Sequence, residues 1–418
     1  MPKRYKVRRY GYEWGGQRKQ WWQKTATTIL MIVLAAGIGW FAYEPVYNLV
    51  MNMGNGPSNL TPSSVPPTSQ SAPPSSVPEN PVPESTPQPE SSGLPEVLYY
   101  LPEATIQNKD QLSAALAEIK AKGGTGVLFD LKNETGVVLY NSTLPIVTKN
   151  LALAVQPYNL GDVTAAIQAA GLTPVGRLFA FKDTTSTASM TEGAVKYMDS
   201  KVNWLDNAKA DGGKAWLNPN SPISRDYILQ LVDETTAAGL DYLVLDGVQF
   251  PTGLSLQLAT YGGTPDKSAV LADFLTTAQQ HAEKNGAAVY PVIGLDAAAG
   301  VNAVPYGTNP EKLIAATGRA VLDIRPEQFG IGITTEKLIL TKPLLTPYET
   351  VKTALTAAEA VLGQEGAELT ALVQSYTSTK VEGASNKPYG AEEAAEQHKA
   401  ASEAGIGKVL YYNPAGQY

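Results

Sequence analysis

The sequence predicts an α/β fold, a closed (β/α)8 barrel, and three observations carry the prediction. From Glu96 onward eight short apolar runs alternate with helical patterns, the signature of parallel strands joined by crossover helices. Several helical stretches end in a glycine, at Gly123, Gly171, Gly239, Gly286 and Gly405, where a helix most often stops. The chain of 418 residues has room for one such domain, which takes about 250 residues, plus appendages.

The appendages come first. Residues 1–24 are basic, with eight Lys or Arg against Glu13 alone; on a net charge of −7 this leaves about −14 for everything after Lys24. Residues 25–43 form an apolar run without a charge, long enough to cross a bilayer as a helix. Trp21 and Trp22 flank it on one side and Trp40, Tyr43 and Tyr47 on the other, as at membrane interfaces. A transmembrane signal-anchor is expected, with the basic amino terminus cytoplasmic and the rest of a single-pass cell-membrane protein extracytoplasmic. The competing reading, a cleaved signal peptide, would cut at Ala35 and Gly37, in the middle of the apolar run. Residues 44–95 turn to proline, serine and threonine and cannot bury enough apolar surface to fold, so a disordered, extended linker is expected.

The barrel is expected over residues 96–418. Its strands are read at Val97–Leu101, Gly126–Leu131, Pro174–Phe181, Tyr242–Phe250, Ala287–Gly294, Ala320–Arg325, Leu369–Tyr376 and Lys408–Tyr412. The intervening helices are read at Asp110–Lys122, Leu160–Ala170, Ser224–Ala238, Ser268–Asn285, Glu311–Thr317, Tyr348–Leu362 and Ala391–Ala404. Two excursions interrupt this alternation. Thr135–Gln156 holds two apolar runs, VVLY and LALAVQ, and reads as a hairpin over the barrel mouth. Thr184–Asn220 is long, without clear periodicity, and carries Trp204 and Trp216.

The fourth strand, LDYLVLDGVQFP, is the centre of the functional argument. Its apolar run is interrupted by one acid, Asp246, placed where the strand gives way to Gly247 and Pro251. That is the carboxyl end of a strand, where α/β folds keep their sites, and a carboxylate there must be paired or used.

Five segments, in order along the chain, resemble a bacterial glycoside hydrolase-like family long described only as a domain of unknown function. They are FDLKNETG at Phe129, GRLFAFKD at Gly176, AWLNPNS at Ala215, GLDYLVLDGVQFP at Gly239 and the closing GKVLYYNPAGQY. The resemblance spans Glu96 to Tyr418 and implies a glycosidase-like TIM barrel with polysaccharide as substrate class. Departures from the family pattern fall at Gln249, where the family has an arginine, at Pro291, where it has an aspartate, and at IRPEQFG from Ile324.

Glycoside hydrolysis needs two carboxyl groups flanking the scissile bond. Placement at strand ends nominates Asp246, Glu327 and Asp130, with Asp296 as an alternative acid competing with Glu327 for the role of proton donor. Substrate contacts are expected from Lys132, Glu134, Arg177, Trp216, Gln374, Tyr376, Tyr412 and Asn413. For Asp246 the competing account is an ion pair with Arg177 or Lys132, and for Asp130 and Lys132 a salt bridge that closes the barrel. Core packing competes for the aromatics. Asp183 reads as a cap.

No metal or cofactor is expected: the chain has no cysteine and only two histidines, His281 and His398, each inside a helical stretch. Its acidic body argues against nucleic acid as a partner. The expected function is a membrane-anchored, extracytoplasmic glycoside hydrolase-like protein acting on cell-envelope polysaccharide through a carboxylate pair. The alternative is a non-catalytic glycan-binding or envelope-scaffolding barrel.

Overall fold

The computed structural model describes residues 93–418 except 151, 155, 264–265, 302–305 and 364–365. The basic segment, the expected membrane helix and the linker up to Ser92 lie outside the described residues. Among the described residues no helix is long and apolar enough to cross a membrane.

Eight parallel strands close into a barrel: β1 (Val97–Leu101), β2 (Gly126–Lys132), β3 (Thr173–Phe179), β4 (Tyr242–Asp246), β5 (Ala288–Gly294), β6 (Arg319–Asp323), β7 (Glu368–Gln374) and β8 (Lys408–Tyr412). Each strand pairs with its sequence neighbours, and β8 returns to β1 through the register Val97↔Val409 to Tyr99↔Tyr411. Helices follow seven of the strands: α1 (Lys109–Ala121), α2 (Leu160–Ala169), α3 (Pro222–Ala237), α4 (Lys267–Glu283), α5 (Pro310–Thr317), α6 (Pro347–Leu362) and α7 (Ala391–Glu403). Their starts are set chemically. Asn108, Asn159, Asp266 and Asn309 accept hydrogen bonds from free N–H groups of the first turns, and Pro222, Pro310 and Pro347 open helices where no N–H is needed.

Alternation along each strand divides the core in two. Leu98, Leu128, Val175, Val244, Tyr290, Val321 and Leu410 fill the barrel interior, while Tyr99, Val127, Leu243, Val289 and Leu322 pack outward against the helices. The interior begins earlier than Glu96. Leu94 is buried, its N–H donates to Tyr290 Oη and Glu368 Oε1, and its carbonyl accepts from Lys408 Nζ. It closes the floor of the barrel.

The excursions differ from expectation in one case. Val138 and Tyr140 make single bridges to Lys132 and Tyr158, but among the described residues of 135–156 the two runs are joined only by the Val138 N–H to the Leu153 carbonyl and form no strand pair, with a short helix, Pro145–Thr148, between them. The Thr184–Asn220 excursion is built around buried Val195, Trp204 and Trp216, and its strand Lys196–Tyr197 pairs antiparallel with Ala259–Thr260 from the loop after β4.

Candidate active site

A cleft of about 730 Å³ opens at the carboxyl ends of the strands. Its wall includes eight residues expected from the sequence, Asp130, Glu134, Arg177, Trp216, Asp246, Glu327, Tyr376 and Tyr412, joined by Tyr100, Lys182, Gln249, Arg325 and Lys380.

The first of two charge clusters is built on β2, β3 and β4. Arg177 stands on β3 between Asp130 and Asp246, facing both because pairing aligns Asp130 with Arg177 and Phe179 with Asp246. Its Nε and Nη2 donate to the two oxygens of Asp130 at 2.5 and 3.1 Å, while Nη1 lies 3.7 Å from Asp246 Oδ2. Tyr100 Oη donates to Asp130 at 2.9 Å, so both Asp130 oxygens are engaged. One planar guanidinium spans the two carboxyl groups, which holds them within roughly 9 Å of each other.

Asp246 is the less constrained of the two. Gly247, in the left-handed region at φ +64°, turns its N–H back onto Asp246 Oδ1 at 2.7 Å. The side chain is 24% exposed to the cleft. Burial pushes its carboxyl above the ordinary aspartate value, against the pull of Arg177, Arg325 and the Gly247 N–H.

The second cluster follows β6 and β7. Arg325 grips Asp323 through Nε and Nη2 at 2.8 and 2.6 Å and donates from Nη1 to Tyr376 Oη at 3.0 Å. Tyr376 Oη donates to Glu327 Oε1 at 2.7 Å, and Lys380 Nζ donates to the same oxygen at 2.8 Å. Glu327 is only 3% exposed at its side chain, and burial alone would raise its carboxyl; Lys380, Tyr376 and Arg325 outweigh that and hold it below the ordinary value. Tyr412 connects the clusters, with the Arg177 and Arg325 guanidinium carbons 5.3 and 5.0 Å from its ring centre.

Three expected contacts, and the alternative acid Asp296, sit elsewhere. Lys132 is fully buried and off the cleft wall, its ammonium 2.8 Å from Asp183 Oδ2 and donating to the Phe179 and Ala180 carbonyls. Of the two ion pairs weighed for Asp246, the one with Arg177 is present at 3.7 Å, its guanidinium shared with Asp130, while Lys132 turns instead to Asp183, which also caps Ser186. Gln374, fully buried, accepts from the Glu327 N–H and thereby positions that acid. Asn413 holds the Ser375 and Gln417 carbonyls. Asp296 opens the short helix Leu295–Ala298 and is not part of the cleft wall.

Trp216 contributes to the wall although only 3% exposed, with its ring N–H committed to Asp206. Glu134 and Lys182 pair at the exposed rim. His281 faces Asp233 and His398 the Gly407 carbonyl, both away from the cleft. Among the cleft residues missed from sequence, Arg325 had a signal, a cation two residues past the acid that ends β6. Lys380 had none.

Residues 99–418 match the model of a family described as "Putative glycosyl hydrolase domain". No curated protein sequence matches the chain. Among solved structures, the glycoside hydrolase domain of PgaB (BpsB) from Bordetella bronchiseptica is similar over 78% of this chain and 95% of its own, at 12% identity and a TM-score of 0.56. A hypothetical protein from Ruminiclostridium thermocellum covers 46% of this chain and 96% of its own, at 24% identity and a TM-score of 0.41. The glycoside hydrolase domain of PelA from Pseudomonas aeruginosa covers 78% and 97%, at 15% identity and a TM-score of 0.39. At these identities the likeness is one of fold.

Proposed function

Because the chain belongs to the glycosyl hydrolase-domain family whose model it matches over residues 99–418, we propose that it hydrolyses polysaccharide, with Asp246 as proton donor and Glu327 as the ionised partner. The observation that carries this reading is that two carboxyl groups of one cleft are driven in opposite directions, Asp246 upward by burial and Glu327 downward against its own burial by Lys380, Tyr376 and Arg325. Such a split is what acid and base roles at one site require.

In this mechanism Asp246 gives its proton to the glycosidic oxygen as that bond breaks. Glu327, as carboxylate, attacks the anomeric carbon or takes a proton from the water that does. These roles reverse the sequence expectation, which leaned to Glu327 as donor. Asp130, saturated by Arg177 and Tyr100, fixes Arg177 and through it the charge facing Asp246.

The substrate class in this reading is an envelope polysaccharide, a reading supported by the fold likeness to the glycoside hydrolase domain of PgaB. The extracytoplasmic, membrane-anchored placement is supported by the basic residues 1–24, the apolar residues 25–43 and the proline-rich stretch after them. One observation favours a second reading, a glycan-binding barrel without catalysis: three of the four acids in the cleft wall are already in close ion pairs, Asp130 with Arg177, Glu134 with Lys182 and Glu327 with Lys380.

Reducing-end release from envelope glycans separates the two. The parent protein should release ends, and Asp246→Asn should lose on the order of 10²–10⁴-fold in rate with its melting temperature held. Absence of release from the parent, with retained glycan binding, would leave the second reading.

A further inference from the structure

The large apolar residues left exposed among the described residues are Met198, Val202, Ile223, Leu254, Leu258, Ile331 and Ile339, between 42% and 71% exposed. Every one lies on a loop leaving the carboxyl end of a strand or on the first turn of the helix that follows, which is the face that holds the cleft. A scatter of single exposed aliphatics over a soluble surface needs no explanation. Their restriction to one end of a barrel does.

Six of the seven fall in two groups, and Ile223 stands apart on the first turn of α3. Met198 and Val202 are brought beside Leu258 by the pairing of Lys196–Tyr197 with Ala259–Thr260, the Met198 N–H donating to the Leu258 carbonyl and the Tyr197 N–H to the Val202 carbonyl. Leu254 joins them through its N–H to the Asp206 carbonyl. Ile339 opens one strand of the antiparallel pair Gly332–Thr334 and Ile339–Thr341 after β6, and Ile331 immediately precedes the other, its carbonyl accepting from the Lys342 N–H. Gln249 and Thr252 of the first loop system and Arg325 and Glu327 of the second line the cleft itself, so the loops that carry the aliphatic tips also wall the cleft.

We propose that this face seats on a lipid bilayer, the tips entering the headgroup region, and that the glycan entering the cleft is one carried at a membrane surface. Membrane is the occupant favoured for two reasons. The exposed charges on these loops nearly cancel, Lys201, Lys209, Lys214, Lys337 and Lys342 against Glu192, Asp199, Asp211 and Glu336, on a chain that is strongly acidic after Lys24. The face therefore escapes most of the repulsion an acidic body meets at an anionic surface. The chain also carries the apolar stretch 25–43, and the 49 residues from Glu44 to Ser92 reach on the order of 150 Å when extended, enough for this face to meet the bilayer that holds that stretch. Shallow insertion of a few aliphatic tips is weak alone and becomes effective once the domain is held near the surface. The inference rests on the membrane-anchored part of the proposed function.

The chain has no cysteine, so one introduced thiol reports one position. The full chain is reconstituted into phosphatidylcholine–phosphatidylglycerol vesicles as Leu254→Cys, Ile339→Cys or Lys284→Cys, each carrying an environment-sensitive fluorophore, with Lys284 as an exposed control at the opposite end of the barrel. The two tip positions should shift to shorter wavelength and lose most of their emission to a lipid-borne quencher, and the control should not. Flotation with the vesicles while all three labels remain in water overturns the seating and leaves the anchor intact. Failure to float overturns both. A tip shift that occurs equally without vesicles, and grows with protein concentration, overturns the membrane in favour of a second copy of the chain.

Discussion

Asp246 and Glu327 reach the same cleft with opposite electrostatics, and the difference lies in their neighbours. Asp246 was legible in the sequence, since a lone acid ending a buried strand points to a site. The restraint on Glu327 was not, because Tyr376 and Lys380 lie about fifty residues on and meet it only when β6 and β7 pair. A stability prediction follows from the raised carboxyl of Asp246. A group whose folded pKa is raised contributes stability fully present below the unfolded value and lost as pH rises through the folded one. Asp246→Asn should therefore melt at or slightly above the parent at neutral pH, with the difference closing toward acid as the parent takes up its proton. Melting curves at both pH values check this; a neutral-pH drop of several degrees would mark Asp246 as a partner needed by Arg177.

At the scale of elements, all eight strands and their seven helices were readable, because apolar runs, capping residues and terminal glycines agree with one another. The reading failed where extended backbone is held by single bridges, as along Val138 and Tyr140, since alternation cannot tell that from a paired strand. It also missed the destination of Lys132. A cation near the end of a strand looked like a cleft residue, yet it turns into the space beneath the loop after β3 and meets Asp183. Lys132→Met should destabilise the fold by about 3–5 kcal/mol by leaving Asp183 buried without a counter-charge, and Lys132→Met with Asp183→Asn should recover much of that loss. Urea denaturation of the three proteins measures it, and equal stability of the single and double variants would show that the pair is not coupled.

For the whole molecule, closure of the sheet removes every edge of the barrel and leaves its floor to be filled. Leu94 fills it, in a stretch whose composition reads as linker, because one leucine between glycine and proline gives no periodic signal. A protein beginning at Gly93 should be more stable than one beginning at Glu96 by about 2–4 kcal/mol, the scale of losing a buried leucine together with its hydrogen bonds. Thermal unfolding of both checks this, and identical curves would mean that the floor reseals without Leu94.

The opposite shifts of Asp246, pushed up, and Glu327, held down, in one cleft are tested most directly by the pH dependence of kcat/KM for reducing-end release. Activity should fall as pH rises through the raised Asp246 value and as pH falls through the lowered Glu327 value. Lys380→Met should move only the acid limb, to higher pH, since it removes a bond that holds Glu327 down. Its cost in stability should stay below about 1 kcal/mol because Lys380 is 69% exposed. A profile whose alkaline limb moves instead, or a parent that releases no reducing ends at any pH, would contradict the assignment.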